Sequence, residues 1–167
     1  LHLLLDPLPA ARDRPGLSLS RLVIGIGNPD RGDDAAGRLV ARRLRGRLAE
    51  DVAILELRGE ATELLAALEG PTSVVLVDAC VSGVPPGTVR RFDAGAGPLP
   101  AGAFGLSSHG LGPAEAIELA RALGQLPPRC LVYAIEGASF EIGAPLSDRV
   151  AAALAAVADR IAADLSS

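Results

Sequence analysis

The segment Ser73–Ala79, SVVLVDA, constrains this chain more than any other. It shows no polar alternation, so a strand built from it is buried on both faces, as in a parallel sheet covered by helices. Shorter apolar runs stand on either side of it. RLVIGIG at 21–27 ends in glycine, VAILEL spans 52–57, and RCLVYAIE spans 129–136. Between the runs lie segments of helical period. Leu39, Val40, Leu44 and Leu48 recur by threes and fours within 34–48, with Arg38, Arg42 and Arg45 on the other face. TELLAALEG reads as a short helix stopped at Gly70, and Pro113 opens a helix to about Leu123. Ser147 is placed to cap a last helix carrying Val150, Leu154, Val157, Ile161 and Leu165. GTVRRFDA, 87–94, alternates after a Gly/Pro turn and reads as an edge strand, while 94–108 is a loop.

The expected fold is α/β: one three-layer domain with a mostly parallel twisted sheet, helices on both faces and one antiparallel edge strand. It covers residues 21–167. Residues 1–20 read as a loose N-terminal extension, with neither the basic region nor the long apolar core of a signal peptide. A chain that starts at Leu1 and has no methionine is expected to lack its native start. At 167 residues and 49% apolar content it has material for one core.

Composition excludes several chemistries. All 16 basic residues are arginine, so there is no Schiff-base lysine, lysine base or P-loop lysine. A net charge of −4 fits nucleic acid poorly. Cys80 and Cys130 lack CxxC spacing and form neither a disulfide framework nor a zinc knuckle. The expected setting is reduced and cytoplasmic, away from membranes, because no apolar run reaches the ~18–20 residues of a span.

In parallel sheets, ligands gather at the carboxyl ends of the strands. Three segments there are chemically unusual: the loop after the first strand (Gly27 to Asp34), Asp78 and LSSHGLG (106–112). The first begins like a nucleotide loop but lacks the third glycine of GxGxxG and the GK[ST] of a P-loop, and Asp33 and Asp34 would repel a pyrophosphate. One of these aspartates can cap the following helix, and both favour its positive end. Asp78 can be pinned by backbone N–H groups, and His109 can be an ordinary loop histidine. Taken together, two carboxylates and an imidazole at one sheet end form a mixed oxygen–nitrogen set. That set suits zinc, nickel or a similar divalent ion better than calcium.

Four segments, in order, carry a family resemblance. GIGNPDRGDDAAG resembles the GxGN-x4-D-[DE] signature of the hydrogenase maturation proteases. VVLVDACVSG, LSSHGLGPAEAI and VYAIEGASFEIGAPLSDRV resemble their later segments. Ala35 departs from the pattern, standing where many members have glycine. The resemblance implies that Asp34, Asp78 and His109 are the metal-ligating and catalytic residues, with no separate cofactor-binding residue. It implies an endopeptidase that trims the C-terminal extension of a nickel–iron hydrogenase large-subunit precursor. The nickel is carried by the substrate, and another divalent metal is possible at the same site. The protein is expected to act as a monomer, with Cys80 a small core residue rather than a nucleophile. Two rivals share the opening turn or the fold: a peptidyl-tRNA hydrolase-like esterase, whose Arg-His-Asn group is replaced here by Asp33-Asp34-Ala35, and a non-catalytic nucleotide-binding or adaptor domain.

Overall fold

The structure, a computed structural model, describes residues 20–105 and 112–167. Strand β1 (Arg21–Ile26) leads through a 3-10 turn (Gly32–Ala35) into α1 (Ala36–Leu44). Next come β2 (Val52–Leu57), α2 (Ala61–Leu68), β3 (Ser73–Cys80), β4 (Val89–Asp93), α3 (Pro113–Ala122), β5 (Arg129–Glu136) and α4 (Asp148–Ser166). The sheet order is β2-β1-β3-β5-β4. All neighbours run parallel except β4, which pairs antiparallel to β5 at the edge. The apolar strand β3 is central and buried along its whole length.

The pleat of β3 and β5 sorts the core into two layers. Val75, Val77, Leu131, Tyr133 and Ile135 pack with residues of α1 and α4. Val74, Leu76, Cys130 and Val132 pack on the other face with residues of α2 and α3. The helical-period residues Val150, Leu154, Val157, Ile161 and Leu165 are all buried. Among the described residues no helix is long and apolar enough to cross a membrane.

Two local expectations change. The helix read from 34 to 48 is a 3-10 turn followed by an α-helix that ends at Leu44. Neither Asp33 nor Asp34 caps it: Arg31 and Ala35 hold the N-cap positions, and no side chain bonds there. Ser147 does occupy the N-cap of α4, but its hydroxyl donates to Asp33 (2.9 Å) instead of accepting from the helix. A buried carboxylate is a stronger acceptor to satisfy than a solvent-facing helix end.

Candidate active site

The chain reverses its direction of travel across the sheet between β1 and β3, the two strands whose carboxyl ends open the crevice that ligands use in such sheets. Asp34 comes after β1 and Asp78 lies two residues before the carboxyl end of β3, so both belong to this rim.

The β1 turn is held close to the sheet. Gly27 has φ +139°, and a Cβ there would lie 1.7 Å from the Asp34 carbonyl oxygen, so only glycine fits. Asn28 shapes the next residues of the turn. Its side-chain oxygen accepts from the Asp30 amide (2.9 Å), an Asx turn, and its own amide donates to Asp34 Oδ2 (3.0 Å). Gly37 lets α1 lie against both strands, because a Cβ would sit 2.2 Å from the Val77 carbonyl and 2.5 Å from that of Ile26.

The neighbouring aspartates have different surroundings. Asp33 has no exposed surface and accepts from the amides of Ala138 (2.7 Å), Ser139 (3.1 Å) and Ser147 (2.7 Å), besides the Ser147 hydroxyl. Burial pushes its carboxyl up, but these donors outweigh burial and hold it below the ordinary carboxylate range. Asp33 is an anchor that ties the β1 turn to the loop before α4. Asp34 is partly exposed, and its carboxylate accepts from the Asn28 amide.

Asp78 is 7% exposed. Burial, then the nearby Asp34 charge, push its carboxyl well above the ordinary range, against one backbone bond from Ala79. Pinning by several backbone N–H groups, one of two readings open for Asp78, is instead the state of Asp33 and of Glu136. The buried Glu136 at the end of β5 accepts from the Ser82 and Gly83 amides and the Ser82 hydroxyl. It also accepts from the Cys80 thiol (3.2 Å), whose pKa burial and then Glu136 push up to about 12. Cys130, also buried, is pushed to about 12 chiefly by burial. Neither thiol is an activated nucleophile.

Among the described residues no guanidinium forms an ion pair with Asp34 or Asp78. His109 lies outside the described residues. Among the described ones no group of three or more His, Cys, Asp or Glu side chains is placed to hold a metal. What the described part brings into electrostatic contact is the Asp34–Asp78 pair.

A family model for HycI-type hydrogenase maturation proteases matches residues 39–164, a span that includes Asp78 and begins beyond the Asp33–Asp34 turn. The chain belongs to the hydrogenase maturation protease family. Solved structures agree with that membership over a larger share of the chain. The hydrogenase maturating endopeptidase HybD from E. coli is 26% identical, with a TM-score of 0.73 over 86% of this chain and 90% of its own. The [NiFe] hydrogenase maturation protease HycI from Thermococcus kodakarensis KOD1 is 30% identical, with a TM-score of 0.66 over 89% and 94%. HybD from Thermococcus kodakarensis is 25% identical, with a TM-score of 0.63 over 84% and 97%. No curated protein sequence matches the chain. Membership makes this a peptide-bond hydrolase of hydrogenase maturation and sets aside the esterase and adaptor readings.

Asp33 and Asn28 escaped the sequence reading as functional supports. The Asx turn was available in the Asn-Pro-Asp order. The partners of Asp33 lie more than 100 positions away, and no local pattern reports them.

Proposed function

We propose that this family member removes the C-terminal extension of a nickel–iron hydrogenase large-subunit precursor after nickel insertion, and recognises the substrate-borne nickel through Asp34, Asp78 and His109. The observation that carries the reading is the Asp34–Asp78 pair. At the switch point of the sheet, burial and then the Asp34 charge raise the cost of ionising Asp78, which has one backbone donor to offset them. A divalent cation arriving with the substrate supplies the missing counter-charge and favours the ionised form of Asp78. The imidazole of His109 adds the nitrogen donor that nickel favours over calcium.

The chain's own groups then bind and orient. Asn28 and the Gly27 turn fix Asp34, β3 fixes Asp78, and the metal-bearing segment of the precursor is drawn to the rim with its scissile bond beside it. Nickel supplies Lewis acidity toward the carbonyl and a water. Neither buried thiol is placed to attack, and the attacking group in this reading is water.

The test compares nickel-loaded and metal-free precursor, cut by wild type and by His109→Ala. Wild type should cut only the nickel-loaded form, and the variant should cut neither while keeping the wild-type melting curve. Equal cutting of both forms by wild type, or full activity of the variant, would refute the reading.

A further inference from the structure

Beside the Asp34 turn, on the α1 and α4 side of the sheet, lies a cleft of about 250 Å³. Pro29, Leu39, Ala144 and Leu146 give it apolar walls, and Arg38 and Arg42 stand along one side. It is smaller than the ~300–1,000 Å³ of ordinary small-molecule pockets, and fits one or two side chains of a polypeptide.

The charge beside it is unusual for an acidic chain. Arg38, Arg42 and Arg45 all converge on one carboxylate, Glu56 of β2, at 3.1, 2.8 and 2.8 Å. Glu56 is 13% exposed, whereas Arg42 and Arg45 are 46% and 59% exposed. One carboxylate facing three guanidinium groups leaves an excess of positive charge, and Arg42 and Arg45 face solvent while Arg38, 18% exposed, lies deeper beside the cleft. Glu56 also holds the forks in place, so a second carboxylate meets oriented donors rather than free side chains. Arg38 further reaches the Gly27 carbonyl (3.5 Å), which links this cluster to the site turn. Gly32 and Ala35, on either side of Asp33 and Asp34, line the cleft itself.

We infer that this cleft is a specificity subsite for the precursor, taking an aliphatic side chain against Leu39, Ala144 and Leu146 while an acidic side chain of the same segment bonds Arg42 and Arg38. The inference rests on the proteolytic reading above and names what that site selects beyond the metal. A neighbouring acidic and aliphatic pair answers both halves of the cleft, which a purely acidic or purely apolar segment does not.

The experiment measures cleavage of nickel-loaded precursor by four enzymes: wild type, Arg42→Glu, Arg42→Lys and Ala144→Trp. Arg42→Glu should raise KM about tenfold with kcat near wild type, and the increase should shrink at high salt. Arg42→Lys should recover most of the loss. Ala144→Trp fills the cleft without changing charge, and should raise KM independently of salt. A precursor whose acidic residues flanking the scissile bond are changed to amides should show the same raised KM with wild type, and no further rise with Arg42→Glu. Wild-type KM in both Arg42→Glu and Ala144→Trp, or additive losses for the amide precursor with Arg42→Glu, would overturn the subsite and leave the protease reading standing. Failure of wild type to cut any precursor would overturn both.

Discussion

Three aspartates in this chain illustrate how surroundings set the role of one side chain. Asp33 and Asp78 are both buried, yet their carboxyls shift in opposite directions, because Asp33 meets four donors and Asp78 meets one donor and a second carboxylate, that of Asp34. One kind of substitution should therefore have opposite effects on stability. Asp33→Asn turns an amide NH2 toward backbone N–H groups that need an acceptor, and should destabilise the fold by about 2–4 kcal/mol. Asp78→Asn removes a carboxyl whose ionised form burial and the Asp34 charge disfavour, and should stabilise the metal-free protein by roughly 1 kcal/mol, about 2–4 °C in Tm at this size. The same Asp78→Asn change should abolish processing. Thermal melts at pH 7 decide this: a lower Tm for Asp78→Asn would mean that its charge is satisfied in the free enzyme. The arginines make a similar point. Helical spacing places Arg38, Arg42 and Arg45 on one face, as for a solvated or docking surface. Glu56, which gathers all three, sits on β2 and lies outside any pattern along α1.

At the scale of elements, the strands and the last helix were legible because their signals are local. The unbroken apolar runs of β3 and β5 and the three-four spacing in α4 need no partner to be read. The edge position of β4 was legible from its polar alternation. The start of α1 was not, since the two aspartates resemble N-cap residues and only the fold shows that one faces the α4 loop and the other the β1 turn. Two of the three expected site residues are seen on the rim, while His109 lies outside the described residues. The Gly37 contact gives a test at this scale. By helix propensity alone, Gly37→Ala should stabilise α1 by up to about 1 kcal/mol. Packing predicts the reverse, because the new methyl would meet the Val77 and Ile26 carbonyls on the strands that carry Asp78 and lead into Asp34. The expected outcome is a loss of about 1–3 kcal/mol in urea unfolding, with reduced processing as α1 is pushed off the sheet. A more stable variant would show that the contact relaxes freely.

Over the whole molecule, acid sensitivity should come from a few buried or half-buried carboxylates that tie distant segments together. Asp33 joins the β1 turn to the α4 loop, and Glu136 joins β5 to residues 80–83. Asp164 of α4 takes Arg91 from β4 and the Tyr133 hydroxyl from β5. In each, burial raises the pKa and the hydrogen bonds more than compensate, leaving the folded value below the ordinary 3.8 of Asp or 4.5 of Glu. A group depressed on folding stabilises fully above its unfolded pKa, and the contribution is lost as pH falls through the folded value. Asp78 acts in the opposite sense: its folded pKa is raised, so it lowers stability as pH climbs above 3.8, and acid removes that penalty. Asp51, Glu56 and Glu118 are depressed as well, so among the described residues six depressed carboxylates against one raised predict a net fall in Tm from about pH 5 downward. Glu136→Gln isolates one contribution. At pH 7 it should lower Tm, because the Ser82 and Gly83 amides lose a charged acceptor. As pH falls below the ordinary 4.5 toward the depressed folded value this contribution is lost, so the two melting curves should converge. A Tm difference that stays constant from about pH 7 to about pH 3 would mean that Glu136 acts through shape alone, and that the charge on this carboxylate does not help hold the β3 and β5 rim together.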